Sequence, residues 1–349
     1  MPRSRKTSTL APFGERVVAW QRVHGRNGLP WQGTRDAYRI WLSEIMLQQT
    51  QVTTVIPYYE RFVARFPGVA SLATASEDEV MALWSGLGYY ARARNLHRAA
   101  REVVARHGGV FPVRATELIE LPGIGRSTAA AIAAFSSGER GAILDGNVRR
   151  VLARHAAIAG APSEAATLAR LWSEAQVRLP DSAIEPYTQG MMDLGADVCL
   201  PRNPLCMLCP VNADCVARIE GRIDELPGKR VRVAVKRKRI AMLVVISKGE
   251  VLLEKRPPSG IWGGLWSLPE ADATEAPGKV LARDWGIDAA ELERLEPFEH
   301  AFTHFTLEVE PWRVRIRKAA RLAEGKPATW MPLSDIAGAA LPAPVKKLL

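Results

Sequence analysis

The sequence predicts a multidomain protein of class α plus α/β, with an all-helical part over the first two-thirds and a smaller α/β part after it. Three observations predict this. At 349 residues the chain exceeds one compact core and suits two domains of about 150 residues each. Apolar residues recur at three- and four-residue steps in the first two-thirds and alternate only after Arg239, a switch from helical to strand period. Between these parts, residues 226–238 hold Lys229, Arg230, Arg232, Lys236, Arg237 and Lys238 and no acidic residue, as an exposed linker does. The expected division is 1–225, a basic linker 226–238, and 239–349. Such a linker could also lie along phosphates.

The helical period covers Ala37–Thr50, Glu77–Trp84, Ala91–Arg106, Thr128–Phe135, Val148–Ala159 and Ala165–Val177, separated by Gly and Pro. Strands are expected over Ile240–Ser247 and Val251–Lys255, joined by Lys248-Gly249-Glu250, and over Phe305–Val309. Composition, 47% apolar and 24% charged, excludes wholesale disorder. No apolar run reaches the ~18 residues of a membrane span, and Met1–Arg16 lacks the apolar stretch of a signal peptide. A cytoplasmic protein without membrane attachment is expected. The excess of 47 basic over 37 acidic residues suits a polyanionic partner.

All four cysteines fall within one short segment as Cys199-x6-Cys206-x2-Cys209-x5-Cys215. That is the wrong distribution for disulfides across a chain of this length and the right one for four thiolates around a metal centre. Zinc is one occupant, although structural zinc sites more often use two Cys-x2-Cys knuckles. Upstream, Glu117–Leu121 ends a helix, Pro122-Gly123-Ile124-Gly125 turns tightly, and Arg126-Ser127-Thr128 opens the next helix. The two glycines let a phosphate approach backbone amides at a helix N-terminus. Asp145, in Leu144-Asp145-Gly146-Asn147-Val148, is either a helix N-cap or an anion for chemistry. Glu44 sits among Trp41, Ile45 and Leu47, where burial would raise its pKa and leave a proton to donate. Gln48 lies four residues on, on the same helix face.

The 6-2-5 cysteine spacing resembles the [4Fe-4S] loop of helix-hairpin-helix DNA glycosylases, and the string Leu121–Ala129 resembles their hairpin. Together with Trp41–Thr54, Gly86–Asn95, Leu144–Val151 and Met191–Gly195, these segments resemble, in order over roughly the first 220 residues, the MutY adenine DNA glycosylases. The resemblance implies a helix-hairpin-helix glycosylase fold with a [4Fe-4S] cluster held by Cys199, Cys206, Cys209 and Cys215, and Arg202 facing phosphates. It implies a nucleoid-associated monomer acting on double-stranded DNA, flipping out and excising adenine mispaired with 8-oxoguanine or guanine. By the same resemblance Glu44 protonates adenine N7, Asp145 stabilises an oxocarbenium ion, Tyr89 stands near the reaction, and Gln48 and Leu87 contact or enter the base stack.

Ser127 occupies the place where the lyases of this superfamily carry a Schiff-base lysine. A serine forms no imine, which points to a monofunctional enzyme. Further on, Pro257–Glu270 resembles the start of a Nudix-like α/β domain, while Lys279–Gly286 lacks the paired glutamates that would hold magnesium. His300–Phe305 resembles an 8-oxoguanine recognition loop, with Phe302, Thr303 and His304 as its readers and Thr303 in place of the family's usual serine. The alternatives are a bifunctional pyrimidine glycosylase/lyase, a Nudix hydrolase, and a non-catalytic iron–sulfur DNA-binding protein.

Overall fold

The structure, a computed structural model, describes residues 10–228, 236–302, 304–316 and 327–349. It forms two compact units, one from Met1–Ala73 and Arg98–Val231, the other from Thr74–His97 and Arg232–Leu349. The helical segment Thr74–His97 thus groups with the C-terminal residues, an association that local periodicity does not reveal. Residues 229–235 of the basic linker lie outside the described residues. Lys236–Lys238 already belong to a strand, where Arg237 pairs with Glu299 at 2.8 Å and Glu308 at 2.6 Å.

The helices run α1 (Phe13–His24), α2 (Ala37–Leu47), α3 (Val52–Arg65), α4 (Val69–Thr74), α5 (Glu77–Trp84), α6 (Ala91–His107), α7 (Ala115–Leu118), α8 (Arg126–Ser137), α9 (Gly146–His155), α10 (Ala165–Val177), α11 (Ile184–Asp193) and α12 (Val216–Ile219). The α2 helix starts at Asp36, whose carboxylate accepts the Tyr38 and Arg39 amides, as an N-cap does. It stops at Leu47, short of Thr50, because Gln49 takes a left-handed φ of 59°. The α9 helix ends at His155 rather than Ala159, and Ala157 is left-handed at φ 47°. The α3 helix contains Pro57, a residue that reads as a helix breaker.

Five alanines and Ile132 make Ala129–Ala134 a continuous buried run of α8, and these small side chains let α2 pack closely on it. A second set of apolar residues, including Val17, Leu144, Val148, Leu152, Leu171, Tyr187, Met191 and Val211, knits α1, α9, α10 and α11 to the cysteine segment. Each fully buried aliphatic or aromatic side chain contributes roughly 1.5–3 kcal/mol. Beyond Asp193 the α11 helix widens into a π turn, Leu194–Val198, that delivers Cys199. Such widening is uncommon and concentrates at functional sites. Here it brings Gly195 against α9 so closely that an added Cβ would stand 2.5 Å from the Asn147 Cβ and 2.9 Å from its Cα.

The C-terminal residues form β1 (Lys236–Ser247), β2 (Glu250–Lys255), β3 (Trp266–Ser267), β4 (Glu270–Asp272), α13 (Pro277–Trp285), β5 (Ala289–Arg294), β6 (Phe298–Ala301), β7 (Phe305–Ile316), β8 (Ala328–Pro332) and α14 (Ala343–Leu348). The sheet order is β3-β2-β1-β7-β5, with β4 on β1, β6 on β7 and β8 on β2. The β1 and β7 strands are parallel, from Lys236 opposite Phe305 to Ile246 opposite Arg315. Ala241–Val245 are buried without alternation, as in a strand covered on both faces. The β1–β2 turn is tighter than the sequence suggests: Ser247 pairs with Glu250, and Lys248 and Gly249 both take positive φ, 50° and 81°, the two-residue turn that suits strand twist.

The contact of Gly195 with α9 yields a prediction. Gly195→Ala overpacks that contact and should lower stability by about 1–3 kcal/mol, read as a fall in the urea midpoint. An unchanged midpoint would show that the π turn does not bear on α9.

Candidate active site and nucleic-acid interface

The hairpin forms between α7 and α8, although α7 ends at Leu118 rather than Leu121. Ile124 donates its amide to the Leu121 carbonyl at 3.2 Å, and α8 begins at Arg126 with Gly125 as its N-cap. The two glycines serve different ends. Gly123 takes φ 81°, which disfavours a side chain. Gly125 takes φ −93° and has nothing within 4 Å of where a Cβ would be. Its lack of a side chain leaves the α8 N-terminal amides open to an anion.

Two carboxyl groups meet beside this hairpin. Glu44, half-buried on α2, has its pKa pushed up to about 8, first by burial and then by the charge of Asp145. Glu44 is therefore mostly protonated at neutral pH. Asp145 caps α9, its Oδ1 accepting the Val148 amide at 2.7 Å. Both readings of Asp145 thus fit one geometry, since the cap bond also aims the carboxylate. Burial raises its pKa, against the pull of the Val148 and Asn147 amides and of Arg150 and Arg149.

Ser127 lies in the first turn of α8, and its Oγ accepts the Leu144 amide at 2.8 Å. Arg149 Nε donates to the Leu144 carbonyl at 3.2 Å. The residue before Asp145 is therefore fixed at both backbone groups, and Ser127 serves as a fastener of the site. Gln48 Nε2 donates to Thr128 Oγ1 at 3.4 Å. Glu44, Gln48, Ser127 and Asp145 are thereby gathered where α2, α8 and α9 meet.

The cysteine segment is held from α9. Arg150 donates to the carbonyls of Cys199 at 2.7 Å and Gly195 at 2.6 Å. Buried Arg154 donates to the carbonyls of Leu226, Leu200 and Pro201 at 2.9, 2.6 and 3.1 Å, and to Cys199 Sγ at 3.4 Å. Asp214, just before Cys215, accepts two bonds from Arg16 at 2.8 and 2.6 Å. All four cysteines line one cavity with Arg154, Arg218 and His155, and no carboxylate shares it. Among the described residues no three Cys, His, Asp or Glu side chains converge as ligands of a single ion. Arg202 is exposed between Cys199 and Cys206. Arg150 and Arg154 escaped the sequence reading, although their spacing along α9 places them on one helix face.

Leu87 and Tyr89 lie in the loop between α5 and α6, in the second unit. Arg92 donates to the carbonyls of Leu87 at 3.4 Å and Gly88 at 3.2 Å, and Trp84 Nε1 to that of Gly88 at 3.1 Å. Leu87 is only 5% exposed, whereas Tyr89 is 49% exposed with φ 49°. Leu87 reaches a base stack only if its side chain leaves this packing. In the same unit, Phe302 and His304 occupy the tip of the β6–β7 hairpin, where the Phe302 amide donates to the Phe305 carbonyl at 2.8 Å and the two rings stack at 4.5 Å. Thr303 lies outside the described residues.

A helix-hairpin-helix whose second helix backs two neighbouring carboxyl groups, one of them protonated at neutral pH, has the arrangement of a DNA glycosylase of the base-excision type. Residues 42–176 match the HhH-GPD superfamily base excision DNA repair proteins, and residues 241–349 match the NUDIX domain. The chain is 35% identical over 338 residues to the adenine DNA glycosylase of Buchnera aphidicola subsp. Acyrthosiphon pisum (strain APS), covering 97% of this chain and 96% of that one. It is 32% identical to the adenine DNA glycosylase of Homo sapiens, covering 99% of this chain and 74% of that one. A solved thermostable thymine-DNA glycosylase superposes with a TM-score of 0.54 at 27% identity, covering 60% of this chain and 95% of that one. The chain belongs to the adenine DNA glycosylases, hydrolases of N-glycosyl bonds in base excision repair.

Two predictions test this geometry. Glu44 is easier to keep protonated folded than unfolded, so folding carries a growing electrostatic cost as pH rises from its ordinary 4.5 to about 8. The Tm of Glu44→Gln should gain on wild type across that window and hold its lead above it; a pH-independent gap would contradict the placement. Ser127→Ala strands a buried amide and should cost about 1–3 kcal/mol while slowing excision. Full activity and stability would exclude the fastening role.

Proposed function

We propose that the protein removes adenine mispaired with 8-oxoguanine or guanine from double-stranded DNA, as a monofunctional glycosylase acting as a monomer in the cytoplasm at the nucleoid. The observation that carries this reading is the meeting of two carboxyl groups, Glu44 with its pKa pushed up to about 8 and Asp145 aimed by its bond from the Val148 amide at 2.7 Å. Departure of adenine from deoxyribose leaves electron density on the base and positive charge on the sugar. Glu44 gives its proton to adenine N7, which makes the base a better leaving group. Asp145 stabilises the oxocarbenium ion until water adds. Ser127 has no amine and spends its hydroxyl on Leu144, so no Schiff base forms and the strand stays intact.

On this reading residues 1–225 bind DNA and excise the base, the linker connects as far as β1, which begins at Lys236, and the C-terminal sheet domain reads the opposite base through Phe302, Thr303 and His304. Phosphates lie against the Gly123–Gly125 hairpin, Ser127 and Arg202, Gln48 and Leu87 meet the opened stack, and Tyr89 faces the flipped nucleoside. We also propose that Cys199, Cys206, Cys209 and Cys215 hold a [4Fe-4S] cluster. The donor set fits: four thiols around one cavity, with Arg154 and Arg218 to offset the negative charge of a tetrathiolate cluster. When bound, the cluster cross-links the loop carrying Arg202 and takes no part in bond cleavage.

The test is a duplex carrying A opposite 8-oxoguanine, incubated with purified protein and analysed with and without alkali. Breaks only after alkali support a monofunctional enzyme; breaks without alkali indicate a lyase, and no abasic sites a binding protein. Glu44→Gln and Asp145→Asn should each slow excision by about 10²-fold or more with DNA affinity retained, the scale of a general acid or a charge stabiliser. Near-wild-type rates would overturn these roles. Arg154→Met should lower the iron content and the absorption near ~400 nm expected of such a cluster; unchanged iron would remove Arg154 from its support.

A further inference from the structure

The segment Thr74–His97 carries Leu87 and Tyr89 yet packs as part of the C-terminal unit. Among the described residues, side-chain links from several positions make that join. Ser85 Oγ donates to the Leu341 carbonyl at 2.7 Å. Asp78 accepts from Lys255 and, at 3.4 Å, from Trp266 Nε1. Arg94, in the first turn of α6 just beyond the Leu87–Tyr89 loop, donates through Nη1 to the Gly263 carbonyl.

The third link leads toward the recognition hairpin. Gly263 adjoins Trp262, a buried residue held in the left-handed region at φ 54°. A side chain persists there only when its surroundings over-determine it. The Trp262 ring lies 5.9 Å from His300 and 5.6 Å from Phe302, and His300 meets Phe302 edge-on at 4.8 Å. The turn before it is closed tightly, since a Cβ on Gly263 would stand 2.6 Å from the Pro258 carbonyl oxygen. A shift of Phe302 therefore bears on Trp262, and a shift of the 262–263 peptide bears on Arg94.

We propose that Arg94 and Trp262 are positioning residues that couple the opposite-base hairpin to the loop bearing Leu87 and Tyr89, so that binding of an 8-oxoguanine at Phe302 sets the conformation of that loop. The proposal rests on the reading of Phe302–His304 as the opposite-base reader. It makes Arg94 a determinant of lesion preference without contact to the lesion or the adenine.

The test measures single-turnover excision from A:8-oxoguanine and A:G duplexes with full-length wild type, Phe302→Ala, Arg94→Met, Arg94→Lys, and the Phe302→Ala/Arg94→Met double variant. Arg94→Met should leave A:G excision nearly unchanged and cut the 8-oxoguanine preference by roughly two- to thirtyfold, the span of a 0.5–2 kcal/mol coupling. Arg94→Lys, which keeps a donor for the Gly263 carbonyl, should recover part of that preference. The double variant should be no less selective than Phe302→Ala alone, because both remove one coupling. An unchanged preference in Arg94→Met, an equal loss on both duplexes, or multiplicative effects in the double variant would each overturn the proposal. If Phe302→Ala itself leaves the preference intact, the reader assignment fails first and the coupling falls with it, a result distinct from failure at Arg94 alone.

Discussion

The site depends on how the chain is held at Leu144, where the backbone amide is taken by Ser127 of α8 and the carbonyl by Arg149 of α9. With both groups fixed, the next residue has little freedom, and the Val148 amide settles the remaining torsion of its carboxylate. Asp145 is thus placed by three hydrogen bonds from two helices. Burial raises the pKa of Asp145, and the amides at the α9 N-terminus act against that rise, favouring the charged form where a cation develops.

The same helix extends the constraint at its far end. Arg150 and Arg154 leave α9 to grip the π turn, the Cys199 carbonyl and the carbonyls that follow it. One helix therefore carries the anion at its start and the cysteine segment along its side. The Ala-rich face of α8 lets α2 approach until Glu44 shares a half-buried space with Asp145. Two carboxyl groups so placed do not both ionise readily, and burial with the Asp145 charge keeps the proton on Glu44.

Sequence patterns revealed what depends on local period and rare spacing. Helices Glu77–Trp84 and Ala165–Val177 have the bounds expected of them, and the β1–β2 hairpin falls where expected, with Glu250 in the strand rather than in the turn. Glu44, Asp145 and the hairpin were legible because their motifs are uncommon. Less legible was whatever long-range packing decides. Pro57 inside α3 and the π turn after Asp193 run against local propensity, and buried Leu87 reflects packing that its motif does not encode. Arg154 looked like any helix arginine, since its four partners come from residues 45 to 72 positions away.

Burial and the Asp145 charge together hold a proton on Glu44 at neutral pH. A titration of the Glu44 side-chain carboxyl by ¹³C NMR, assigned through Glu44→Gln, reads this directly. The expected midpoint is near 8 in the wild-type protein, shifted downward but still above the ordinary glutamate range in Asp145→Asn, because burial is the larger cause. A midpoint near 4.5 in the wild-type protein, unmoved by Asp145→Asn, would contradict it.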